Sequence, residues 1–269
     1  MITRIARTAL VAGAVAGILA WGAHQLRAVP LILQAETYEL AASDPRVEEP
    51  GGSRRQNIGG GDSPAAPASI PSPAAPAALP LAANALAVNL PAAHPDAPAD
   101  NPLRRHALGF LTSTLVGIGY AFILVGAIVL RGQRVDWRAG ALWGLGGFVA
   151  FAAAPALGLP PELPGMSAAA VGPRQAWWLA TALASAAGLA ALVFAGRFPW
   201  RAAGAVLVVL PHLVGAPKIV PESGPLPAEL AAEFAIVALL TSAMFWLALG
   251  ATAGHLLGRS EPSVQAETA

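Results

Sequence analysis

Residues 205–217 read Ala-Val-Leu-Val-Val-Leu-Pro-His-Leu-Val-Gly-Ala-Pro. The run is apolar, carries Pro211 inside it and an ionisable side chain directly after at His212, and stops at Pro217. Proline offers no backbone N–H and frees a carbonyl one turn back. At membrane depth, backbone freed in this way needs protein or a water-filled cavity to satisfy it. An ionisable side chain in such a place marks a functional position more often than a decorative one. The plainer alternative is a kink beside a histidine that has already reached the membrane interface.

The rest of the chain supplies the membrane. Of its 269 residues, 55% are hydrophobic and 12% charged, with a mean hydropathy of +0.58. A soluble domain carries about 25% charged residues. Six apolar runs follow one another: Thr8–Leu26, Ala107–Leu130, Ala139–Leu159, Ala176–Ala195, Ala202–Ala216 and Phe234–Leu257. With about 20 residues needed per crossing, the fifth is marginal. The expected fold is all-α, a polytopic membrane bundle of about six transmembrane helices, the fifth short and broken by Pro211. The organisation expected is a first transmembrane helix over 1–33, a loop outside the cytoplasm over 34–106, a membrane bundle over 107–259 and a short cytoplasmic tail over 260–269. The first run is long, lacks an A-x-A cleavage site and reads as an uncleaved helix. The 34–106 loop holds ten prolines between Pro64 and Pro102 among many alanines, a composition too poor in core-forming residues to fold.

Charge placement sets the orientation. Arg4, Arg7, Arg131, Arg134, Arg138, Arg197, Arg201 and Arg259 fall on one side if every run crosses, against Arg174 and Lys218 in the short loops opposite. The positive-inside rule then puts both termini in the cytoplasm of a bacterial inner membrane. Gly13 and Gly17, and again Gly250, Gly254 and Gly258, recur at four-residue spacing, which suits close helix packing. Trp143, Trp177, Trp178, Trp200 and Trp246, mostly near the run ends, suggest an interfacial belt.

On this topology the unusual residues share the outer side. Glu36 and Glu39, three apart, lie on one face of a helix. His24 closes the first run, Glu162 and Met166 sit in the proline-rich turn Pro-Pro-Glu-Leu-Pro-Gly-Met (160–166), and His212 follows Pro211. Imidazole and carboxylate suit a borderline divalent ion such as Co2+. His212 leads the candidate metal ligands, followed by Glu36 and Glu39, then Glu162 and His24, with Met166 last. Each has an ordinary reading as well: a solvated helix end, a rigid turn, an interfacial histidine. With no cysteine in the chain, thiolate metal sites, iron–sulfur clusters and cysteine nucleophiles are excluded. No nucleotide-binding loop, HExxH or GxSxG is present, so no enzyme and no permanently bound cofactor is expected. A net charge of +1 gives no footprint for nucleic acid.

PLILQAETYE (30–39), GLPPELPGM (158–166), RQAWWLATA (174–182), PHLVGAP (211–217) and AEFAIVALLTSAMFWLALG (232–250) together resemble the CbtA family of cobalt transporter subunits. The resemblance covers the first helix and everything after about residue 103. It implies a membrane subunit importing Co2+ for cobalamin biosynthesis, working with a small single-helix, histidine-rich CbtB-like partner. Six helices are few for a free-standing transporter, so a partner or a homo-oligomer within the lipid bilayer is expected in any case. The alternatives are a membrane scaffold that transports nothing itself, and a channel for another cation.

Overall fold

The structure, a computed structural model, describes residues 2–43, 102–217 and 226–259. Everything regular among them is helical. α1 (Ile2–Ala23) passes through a π-helical turn (His24–Ala28) into α2 (Val29–Ser43) without a break. α3 (Pro102–Arg131) follows, then α4 (Trp137–Phe148), which runs through a second π turn (Val149–Ala153) into the short α5 (Ala154–Ala156). α6 (Val171–Phe194), α7 (Phe198–Val214) and α8 (Ala228–Arg259) complete the chain.

Five of these segments are long and apolar enough to cross a membrane, and α7 is a shorter apolar helix. Its 17 residues reach about 26 Å, a little under the hydrocarbon thickness. The expected helical bundle is therefore present. α7 stays helical through Pro211, which lies inside it, and ends at Gly215, whose φ of +85° only glycine adopts freely. Residues 34–43 and 102–106, assigned to the outer loop from sequence, belong to helices. The continuous 2–43 helix spans roughly 60 Å, so α2 projects well past the bilayer. The expectation of a disordered Pro/Ala-rich loop falls on 44–101, outside the described residues.

Both π turns have the same cause. Val29 N–H reaches past Gln25 to His24 O, and Ala154 N–H reaches past Ala150 to Val149 O. In each case the next residue is a proline, Pro30 or Pro155. A proline ring collides with the carbonyl four residues back in a regular α-helix. One extra residue in the turn widens the coil and removes the collision, so the helix continues where it would have broken.

The glycine spacings do what their sequence suggests. Gly13 and Gly17 of α1 lie directly on the α3 backbone at Ile118 and Ser113, a Cβ on Gly17 standing 2.6 Å from Ser113 O. Gly250 and Gly254 of α8 meet Gly140 and Gly144 of α4, which the sequence reading did not single out. Gly188 of α6 faces Gly204 of α7 in the same way. All three pairs are antiparallel. α1 also packs on α8, so α1, α3, α4 and α8 form the centre, and the α6–α7 hairpin attaches through the second π turn. Tyr120 fills the middle, edge-on to Phe151, Phe245 and Trp246 at 5.6, 6.1 and 5.0 Å. Trp246 is thus core rather than belt, and Trp177 and Trp178 are buried too, while Trp200 remains exposed.

Candidate functional site

The turn between α5 and α6 organises one end of the bundle. Pro160, Pro161 and Pro164 keep it from continuing as a helix. Gly158 opens it beneath the Trp177 ring, 3.0 Å from Ala216 at the position a Cβ would take. Leu163, 3% exposed, plugs an apolar pocket of Ala28, Leu31, Ile32 and Ala35 from the first helix and Leu230 and Phe234 from α8. Gly165 has φ +79°, and the Glu39 carboxylate occupies the space beside it where a Cβ would stand. Met166 is used internally: Leu163 N–H donates to its Sδ at 3.3 Å, and Met166 N–H donates to Leu163 O at 3.3 Å. This one turn therefore touches α2, α6, α8 and the segment after α7.

Glu162 points to α6, where the Arg174 guanidinium donates to its Oε2 at 2.5 Å, both side chains 21% exposed. Burial pushes the Glu162 carboxyl above its ordinary range, while the charge and hydrogen bond of Arg174 pull it back. Removing the arginine takes away both opposing causes, so in Arg174→Gln the carboxyl should stay protonated to a higher pH than in the parent. The protonated C=O stretch of Glu162, assigned with Glu162→Gln and followed by infrared titration, would report it. A band that titrates at the parent's pH would mean that the pair contributes nothing to this carboxylate.

On the other flank, His212 stands edge-on to Trp177, ring centroids 6.0 Å apart and planes at 71°. Trp177 Nε1 donates to Pro211 O at 3.3 Å, and Gly215 N–H donates to the same oxygen at 3.0 Å. The carbonyl after the proline nitrogen is thus doubly occupied, which fixes the ring against α7. The imidazole Nε2 is buried and makes no hydrogen bond. A buried polar atom without a partner is costly and rare in folded proteins.

The candidates taken from sequence are distributed around this end. Glu39 meets the turn that carries Glu162, and its Oε1 is buried without a partner. His212 reaches the same indole, Trp177, that covers the start of the turn. Glu36 is exposed on α2, and His24 is buried in the first π turn, 8% exposed. Among the described residues no three His, Asp or Glu side chains are grouped so as to hold one metal ion together. Arg174 and Trp177 were not singled out as partners by the sequence. The signals available were Arg174 as the one basic side chain in the first turn of α6, and Trp177 one turn further on.

At the opposite end Arg4 donates to Leu257 O at 2.5 Å, tying the start of α1 to the end of α8. Arg131 lies 4.9 Å over Phe194, whose ring stacks on Trp143 at 5.4 Å. The eight arginines expected on one side gather here, and Asp136, which caps α4 by accepting from Ala139 N–H at 2.8 Å, is the acidic residue among them. The acidic side chains Glu36, Glu39, Glu162, Glu229 and Glu233 lie at the end with the turn, together with Arg27, Arg104, Arg105 and Arg174.

The family model CbtA, described as probable cobalt transporter subunit, matches residues 2–258. No curated protein and no solved structure matches the chain.

Proposed function

Because the chain belongs to the CbtA family of probable cobalt transporter subunits, we propose that it is the membrane-embedded subunit of a Co2+ uptake system that serves cobalamin biosynthesis. The observation that carries this reading is the family match over nearly the whole chain. The orientation proposed has both termini in the cytoplasm of a bacterial inner membrane. It is supported by the arginines collected where α1 begins and α8 ends. Co2+ would then approach the end with the turn, where Glu36 and Glu39 of α2, Glu162 of the turn, His24 and His212 offer carboxylate and imidazole ligands. They would act in succession rather than as one cage. His212 leads them as an imidazole whose Nε2 is buried and unpartnered, and Glu39, whose Oε1 is buried and unpartnered as well, comes next. Glu162 is held by Arg174 and would have to exchange that partner for the ion.

Since no three such side chains are grouped among the described residues, a complete coordination shell needs ligands from elsewhere. A small single-helix, histidine-rich CbtB-like partner would supply them. The same observation favours the second reading, a scaffold that assembles a transporter without carrying the ion itself. Cells expressing the chain with such a partner should accumulate severalfold more Co2+ than cells expressing either alone. Equal accumulation with the partner alone would leave the chain as scaffold or bystander.

A further inference from the structure

At the basic end a cavity of about 280 Å3 opens between α1, the end of α3 with the loop after it, and the end of α8. Its walls are of two kinds. Arg4, Gln133 and Arg134 supply polar groups, while Ile5, Ile128 and Leu257 supply apolar surface. Arg4 is fixed there by its bond to Leu257 O, and its Nε is buried without a hydrogen-bond partner. We propose that this cavity binds a phosphate group, carried by the headgroup of an anionic phospholipid, at the interface on the side where the arginines gather.

Three considerations converge on this ligand. A guanidinium is the side chain whose planar fork matches phosphate oxygens, and two border the space. Among the described residues no acidic side chain lines the cavity, and the carboxylate nearest in sequence, Asp136, lies outside its lining and caps α4. The ends of α8 and α3 each bring negative dipole, equivalent to about half a charge, which is offset in part by the opposite dipole at the start of α1, by Arg4 on the Leu257 carbonyl and by Gly132 N–H on the Val129 carbonyl. The mixed lining then chooses between phosphates. A free phosphate ion would leave Ile5, Ile128 and Leu257 facing water, whereas a phospholipid sets its glycerol and upper acyl carbons against them. Basic pockets between transmembrane helices on the cytoplasmic side are known hosts for such headgroups. The site is independent of whether the chain moves cobalt.

The full chain purified in detergent would be examined by native mass spectrometry with phosphatidylglycerol, with phosphatidylcholine, and with inorganic phosphate as competitor. Phosphatidylglycerol should be retained, phosphatidylcholine should not, and Arg134→Gln should lower retention about tenfold, the loss of one charge-assisted contact. Gln133→Glu, which adds a negative charge to the same wall without touching either arginine, should lower it as well. Competition by millimolar inorganic phosphate with no lipid retained would keep the phosphate site and assign its ligand to solution. Equal retention of both lipids, or retention unaffected by both substitutions in protein that elutes normally, would overturn the proposal.

Discussion

Replacing Gly250 with valine is expected to remove folded protein from the membrane. A Cβ there would stand 2.7 Å from Gly144 N and 2.8 Å from Gly144 Cα, and closer still to Gly140 O. These neighbours are backbone, so no side chain can swing aside. The α4–α8 crossing would have to separate, and separation reaches the core, because Trp246 of α8 packs on Tyr120 of α3. Overpacking that side chains can absorb costs about 1–3 kcal/mol. A displaced helix pair should cost more, against a total stability of only about 5–15 kcal/mol. Gly146→Ala and Gly126→Ala are the controls, since a Cβ at either meets nothing within 4 Å. A fluorescent fusion followed by size-exclusion chromatography and detergent melting would separate the cases. The controls should match the parent, and Gly250→Val should give aggregate or no peak. A parent-like melting curve for Gly250→Val would show that the helices do not approach as closely as described.

The same glycines show how much of the fold was legible in advance. Helix number and packing faces follow from apolar length and from four-residue glycine spacing, because bilayer thickness and backbone contact are local requirements. The partner of each glycine face is not local. Gly140 and Gly144 carry no sign that they meet Gly254 and Gly250 rather than Gly13 and Gly17. The π turns were hidden for a related reason. The third apolar run passes through Pro155 with no local sign of a turn, and neither it nor Pro30 indicates by itself that the coil widens by one residue to continue. At the candidate site, residue types were legible and partnerships were not. Glu162 looked like a free carboxylate until Arg174, twelve residues on, folded back to it. Trp246 stands midway along the Phe234–Leu257 run, and that depth already pointed away from the interface and toward the core.

Replacing His212 with glutamine should leave the amount of folded protein near that of the parent and lower Co2+ uptake severalfold. The Pro211 carbonyl is occupied by Trp177 Nε1 and Gly215 N–H, so Trp177 is anchored to α7 without help from the imidazole. His212 Nε2 is buried and unpartnered, so no protein hydrogen bond is lost with that nitrogen. Glutamine keeps an amide of comparable reach but gives up the imidazole lone pair that suits Co2+. A role in ion passage and a role in packing therefore forecast different things. If the ring is a spacer between α6 and α7, its loss should lower abundance or melting temperature and leave uptake per folded molecule unchanged. If it is a ligand, uptake per folded molecule falls while both stability measures hold. The indole beside it gives a second readout. With ring centroids 6.0 Å apart, Co2+ at the imidazole should quench Trp177 emission, taken as the difference from Trp177→Phe, and His212→Gln should abolish that quenching. Parent-level uptake per folded molecule, with quenching intact, would remove His212 from the path of the ion.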